Sequence, residues 1–286
     1  MPFLLIPIFW HFLTNSFHQQ EKPRERAHGD GMLVSADSPE AFEEIIWRQF
    51  WPSRYKEQKI EPRFEGKYAE FEKFFIHHIR KVIYLGKRDR NEAKRYVSKN
   101  NLNISRLVYI SALFTDAKIL VPFREPLQHA SSLLKQHRNF LDIHQRDHFA
   151  RTYMRAIGHY DFGENLSPVN FNGWLSKSAN FDPLTLDFWL SYWTNAYDYL
   201  LRMKNDCIHF LSFDEFCQNP AKKLIALSEY LGINDRQGFI ASASQVKSPK
   251  PYYVDRTSID KEILDKAEQL YQQLVRDPFF SPGIEN

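Results

Sequence analysis

Three stretches of this 286-residue chain place charged and polar residues just after short strand-like runs, and the first two could hold an anion. The first is Lys99-Asn100-Asn101, following Arg95-Tyr-Val-Ser98. The second is Arg124-Glu125-Pro126, following Ala117 to Phe123, with Ser131 and Ser132 a few residues on. The third is Phe213-Asp214-Glu215-Phe216, following Cys207 to Phe213, and it leads through Asn219-Pro220 to Tyr230-Leu231-Gly232. A guanidinium grips phosphate as a bidentate fork, an ammonium as a point charge, and hydroxyls or first-turn helix amides add donors. Elsewhere, the loop His28-Gly29-Asp30-Gly31 offers an imidazole that titrates near neutrality, with a carboxylate beside it. Its two glycines suit a plain solvent-facing turn equally well. No metal is signalled, because His77 and His78 are adjacent rather than four apart on one helical face.

The elements that must position these groups can be read from periodicity. Ser38-Pro39-Glu40 has the form of a cap, a first-turn proline and a first-turn acid. The helix after it carries Phe42, Ile45, Ile46 and Gln49 inward and ends near Trp51-Pro52. A second helix is expected from about Lys67 to Leu85, with Phe71, Phe74, Phe75, Ile79 and Val82 on one face and Gly86 as its stop. The runs at 95–98, 117–123 and 207–213 read as strands. A helix should follow Arg124, from Leu127 to about His137. Asp182-Pro183 should open another, with the stripe Phe188, Trp189, Tyr192, Trp193 and Tyr197. Asn219-Pro220 should open a third, through Leu224, Leu227 and Leu231 to Gly232. A last amphipathic helix spans about Ile259 to Val275. Apolar strands alternating with helices imply an α/β fold, a short parallel sheet flanked by helices. Residues 139–182 give no clear pattern.

Composition narrows the function. A net charge of +3 is too small for a nucleic-acid partner, which calls for a basic stripe. With 24 Phe, 14 Tyr and 6 Trp, a large core is at hand for one domain over residues 1–286. Cys207 and Cys217, the only cysteines, make neither a disulfide framework nor a zinc cluster and are expected reduced and buried, as in a cytoplasmic protein. The apolar run Pro2 to Leu13 lacks a basic lead and an A-x-A site, is interrupted by Pro7, and is too short to cross a bilayer. It reads as a buried helix, with no membrane partner.

In order and spacing, over about residues 25 to 275, the three segments resemble the bacterial branch of the sulfotransferases that use 3'-phosphoadenosine-5'-phosphosulfate (PAPS) as co-substrate. The resemblance implies a P-loop-kinase-like α/β fold and transfer of a sulfuryl group to a hydroxyl or amine on a small-molecule or glycan acceptor, without a metal. It implies that Arg124 and Ser132, eight residues apart, grip the 3'-phosphate. Lys99, 25 residues before Arg124, would lie by the phosphosulfate, and Phe213 would stand where the family's tyrosine meets adenine. In-line sulfuryl transfer asks the enzyme mainly to position groups and neutralise charge, and also to take the acceptor's proton. The position two after the lysine, a histidine in cytosolic members, is Asn101 here, which leaves His28 as the candidate base.

Two motifs of the family are missing. No Gly-Thr-Thr or Gly-Thr-Ser occurs, so the loop that wraps the 5'-phosphosulfate is absent, and no Arg-Lys-Gly motif appears late in the chain. The expectation is that a strand, that loop and a helix normally precede Met1, that the chain as it stands is inactive, and that restoring them would rescue it. The alternative is a non-catalytic relative that binds nucleotide or acceptor without turnover. A kinase would need Gly-Lys-Ser or Gly-Lys-Thr, and neither occurs.

Overall fold

The computed structural model describes residues 24–25, 33–34, 43–62, 66–89, 94–177, 182–249, 251 and 253–276. In chain order these form β1 (Arg24–Glu25), β2 (Leu33–Val34), α1 (Glu43–Phe50), α2 (Ala69–Asp89), α3 (Leu107–Leu113), β3 (Ile119–Phe123), α4 (Pro126–Arg146), α5 (His148–Ile157) and α6 (Trp174–Lys177). They continue with α7 (Leu186–Arg202), β4 (Ile208–Ser212), α8 (Phe213–Gln218), α9 (Pro220–Leu231), α10 (Arg236–Ala241) and α11 (Lys261–Val275). The result is α/β and mostly helical. The chain divides into two compact units: residues 1–106 with 136–169, and residues 107–135 with 170–286. Helix α4 supplies its first half to the second unit and its second half to the first.

The first unit is built on aromatic packing around α1 and α2. Trp47 lies 4.5 Å from Phe71 and 5.3 Å from Phe75 by ring centroids, and Trp51 lies 4.4 Å from Phe71. The inward face of α1 differs from the expected one: Glu43 and Glu44 are buried with Ile46 and Trp47, while Gln49 is exposed. The two carboxylates go inward because partners meet them there. Arg106, fully buried, reaches both oxygens of Glu44 (2.6 and 3.1 Å) and stacks 4.2 Å over Trp47. Asn100 donates to Glu44 at 2.8 Å, the Tyr55 hydroxyl donates to its other oxygen, and Glu43 accepts from Tyr96 and Ser98. This explains why 95–98 is not a strand. Its hydroxyls turn to Glu43, Val97 is left 88% exposed, and among the described residues no sheet partner pairs with it. Gly86 does not stop α2, which runs on to Asp89.

The second half of α4 clamps a tight turn. Nδ1 of His137 accepts from Gly163 N–H and Nδ1 of His144 from Glu164 N–H, both at 3.1 Å. Gly163 has φ +66°, and a Cβ there would lie 2.6 Å from His144 Nδ1, so only glycine fits.

In the second unit β3 and β4 pair in parallel, with Ile119 opposite Ile208 and Phe123 opposite Ser212. Among the described residues this sheet has two strands rather than three. Val121, Phe123, Ile208 and Phe210 are buried, and in the aromatic stripe of α7 Phe188, Trp189, Trp193 and Tyr197 are buried as core. Tyr197 donates to the Pro122 carbonyl at 2.7 Å. Helix α7 starts at Leu186, later than the Asp182-Pro183 signal, because Thr185 is the residue whose side chain caps it. Gly232, at φ +59°, ends α9 as expected, and α11 packs on α7. The cysteines are free but half-buried rather than buried. No helix among the described residues is long and apolar enough to cross a membrane.

Burial by itself would raise the Glu44 pKa, but the charge and hydrogen bonds of Arg106 override it and hold the carboxyl below its usual 4.5. A depressed carboxylate contributes stability that is present above its unfolded pKa and is lost as pH falls through the folded one. Arg106→Met should therefore cost about 3–5 kcal/mol by leaving Glu44 buried and unpaired. Urea denaturation at pH 7 checks the loss. The same measurement below pH 4.5 should show the gap between variant and parent narrowing.

Candidate functional site

The parallel register determines what meets at the carboxyl end of the sheet. Because Phe123 lies opposite Ser212, the next residues, Arg124 and Phe213, emerge side by side, with the guanidinium carbon 5.9 Å from the Phe213 ring. Ser212 then caps α8 by accepting Glu215 N–H at 3.2 Å, which brings Asp214 to the start of α4. There Asp214 accepts Glu125 N–H at 2.8 Å and lies 3.8 Å from Arg124 Nε, while Glu125 accepts Gln128 N–H at 2.7 Å. The helix-start amides that favour anions are thus answered by the chain's own carboxylates. Arg124 Nε is buried and has no hydrogen-bond partner, a state that costs about 1–3 kcal/mol until an acceptor arrives. Ser132 sits half-buried in α4, about 9 Å along the axis from Pro126.

A cleft of about 450 Å³ opens beside this point, lined by Glu125, Pro126, Asp265, Glu268, Gln269, Tyr271 and Gln272. Its walls carry three carboxylates and no lysine or arginine, so it suits a hydroxyl or a cation rather than a polyanion. Tyr271 donates to Asp214 at 3.4 Å. Burial first, then the charges of Asp214 and Glu125, push its hydroxyl up to about 12.

Of the residues singled out from the sequence, Arg124, Ser132 and Phe213 fall in the second unit and Lys99 in the first; His28, and the run Pro2 to Leu13, lie outside the described residues. Lys99 is exposed at the end of the extended stretch 94–100. Asn100 caps the following 3₁₀ turn (Asn101–Ser105) through Leu102 N–H at 3.0 Å, and Asn101 donates to Asp161 at 3.4 Å. The Asp161 carboxyl is raised above the ordinary range by burial, against the opposing pulls of His159, Asn101 and Lys99. It lines a water-sized cavity with Phe140, His144, Met154, His159 and Phe162. Asp161 lies in a stretch where neither apolar spacing nor a motif marks it, and Asp214, though inside a segment singled out from the sequence, was given no role. The nearest signals were the unused asparagines of Lys99-Asn100-Asn101 and the acid pair following Phe213.

Compared with the models of known protein families, with curated proteins and with solved structures, the chain matches none.

Asp214 is the charge that Tyr271 and Arg124 share. Asp214→Asn should bring the Tyr271 ionisation down from about 12 toward the ordinary phenol value near 10. Titration of ring-labelled tyrosine by NMR reads this directly, and an unmoved resonance would place the cause in burial alone.

Proposed function

We propose that this chain is sulfotransferase-like: its second unit holds the 3'-phosphate side of PAPS, and the reaction moves the sulfuryl group to a hydroxyl or amine of a small-molecule or glycan acceptor. The observation that carries the reading is Arg124, a half-buried arginine at the carboxyl end of a parallel strand, with a buried Nε that has no hydrogen-bond partner and an aromatic ring at its side. In open α/β sheets ligands collect at the carboxyl ends of the strands. The residues there fit an oxyanion: a fork with a donor lacking an acceptor, followed within the next helix, α4, by the hydroxyls of Ser131 and Ser132. Ser131 Oγ is also buried without a partner. When bound, PAPS supplies the activated sulfuryl group. The role proposed for Arg124 and Ser132 is to bind and orient its nucleotide, and that for Lys99 is to neutralise charge at the transferring group. A second reading, binding without turnover, is favoured by the lack of any Gly-Thr-Ser or Gly-Thr-Thr loop in the sequence.

Titration calorimetry separates these ideas. Adenosine 3',5'-bisphosphate should bind more tightly than AMP, and Arg124→Ala should weaken the bisphosphate by about tenfold to a hundredfold, the worth of one charge-assisted contact. Equal binding of the two nucleotides would sink the reading. Lys99→Ala should lower sulfuryl transfer much more than nucleotide binding. Parent-level transfer by that variant would return Lys99 to the status of a surface cation, and binding with no transfer by the parent chain would favour the second reading.

A further inference from the structure

Between Arg124 and Ser132 on α4 stands a residue that neither the motif nor the resemblance uses. His129 N–H donates to Glu125 O at 2.9 Å, so His129 sits one full helical turn above Glu125 and on the same face. Helical side chains lean back over the preceding turn, which carries the His129 ring toward the helix start where Arg124 lies. Ser132, three residues further on, shares that face. An anion gripped by both Arg124 and Ser132 therefore has to pass across the His129 ring.

The surroundings of that ring are unusual for a histidine. Its Nδ1 is buried and has no hydrogen-bond partner, as is Arg124 Nε nearby. The charged group that acts on it is Arg124, from the end of β3. Around Arg124 stand Glu125 at the start of α4, Asp214 of α8 and, beyond Asp214, Tyr271 of α11. Two buried nitrogen atoms without hydrogen-bond acceptors, at the start of one helix and one turn along it, make a poor structural motif and a good anion site, because a bound oxyanion can satisfy both.

We infer that His129 joins Arg124 in binding the anion, and that it does so as an imidazolium, so that binding draws one proton into the site. This inference rests on the sulfotransferase-like reading and adds a ligand and a pH dependence to it. The sign follows from the charges. In the free protein burial, then the Arg124 charge, hold His129 down at about 4, so the ring is neutral across the physiological range. A phosphate or sulfate beside it opposes both effects and raises the value. Affinity is then flat above the bound-state pKa and tightens as pH falls from there toward 4. The site in this way avoids two adjacent buried cations while it is empty, yet presents two to a dianion.

Inorganic sulfate is the probe to use first, because it takes up no proton in this pH range and any uptake belongs to the protein. Calorimetry of the full chain with sulfate at pH 6, in buffers of different ionisation enthalpy, should report net proton uptake. Affinity should rise by up to about tenfold per pH unit as pH falls between the bound value and 4. His129→Gln, which keeps a polar side chain of similar reach without titrating, should still bind sulfate but with no uptake and a flat pH profile. Asp214→Asn should keep the uptake. Sulfate binding that is Arg124-dependent yet proton-free in the parent would overturn the role of His129 and leave the reading of Arg124 intact. Uptake that survives His129→Gln and vanishes in Asp214→Asn would assign the proton to Asp214 instead. If neither sulfate nor adenosine 3',5'-bisphosphate binds in an Arg124-dependent way, the anion site itself is refuted. Should His129→Gln fail to fold, proton uptake by the parent and by Asp214→Asn decides the matter alone.

Discussion

The register between β3 and β4 governs everything of chemical interest in the second unit. Parallel pairing of Phe123 with Ser212 makes the two strands end level, and each is followed at once by a helix. Arg124, Glu125, Phe213 and Asp214 are thereby delivered to one place without any long-range side-chain design. A slip of one residue would turn every strand side chain to the opposite face and separate Arg124 from Phe213. The burial of Val121, Phe123, Ile208 and Phe210 makes such a slip costly, because each of these would be brought out of the core. The hydrophobic packing of the strands is thus what fixes the position of the charges.

Charge is treated in opposite ways in the two units. In the first, Glu44 and Arg106 are buried together and fully answered, with Asn100 and Tyr55 completing the carboxylate's hydrogen bonds. Nothing in that network is left over to meet a ligand, and its role is to fix α1 against the 94–106 segment. In the second, Arg124 has only a distant carboxylate at 3.8 Å and a buried donor with no acceptor. Arg106 is answered at both of its terminal nitrogens, whereas Arg124 keeps a buried Nε without a hydrogen-bond acceptor, which is the physical basis for proposing it as a binding group.

What the sequence revealed depended on whether the signal was local. The stops at Gly232 and the cap-and-proline start at Asn219-Pro220 are decided by backbone conformations within a few residues, and the structure agrees with both. The strands at 117–123 and 207–213 stood out because each is a nearly unbroken apolar run, buried along most of β4 and at Val121 and Phe123 of β3. The run at 95–98 has the same local look, but its tyrosine and serine are claimed by Glu43, some fifty residues away, and no local pattern reports that. For the same reason the inward face of α1 was misread: buried glutamates are legible only once Arg106, Tyr96 and Ser98 are known to stand opposite. The stretch 139–182 was opaque because its order comes from the histidines of α4 gripping the backbone at Gly163 and Glu164, a contact made by ring nitrogens rather than by apolar spacing. Arg124 and Asp214 both stood after strands in the sequence; that the carboxylate ninety residues further on comes back beside the arginine was not legible.

Pro122 limits how the sheet can grow. Ile119 N–H points to β4, bonding Cys207 O at 2.8 Å, so by alternation the amide positions of Leu120 and Pro122 face the other way, along the outer border of β3. At Pro122 that border has no donor to give, and its acceptor is already taken by the Tyr197 hydroxyl. A neighbouring strand could not continue its ladder past this point, so β3 is sealed against edge-to-edge association with another chain. β4, Ile208–Ser212, carries no proline, so this restriction belongs to the β3 border alone.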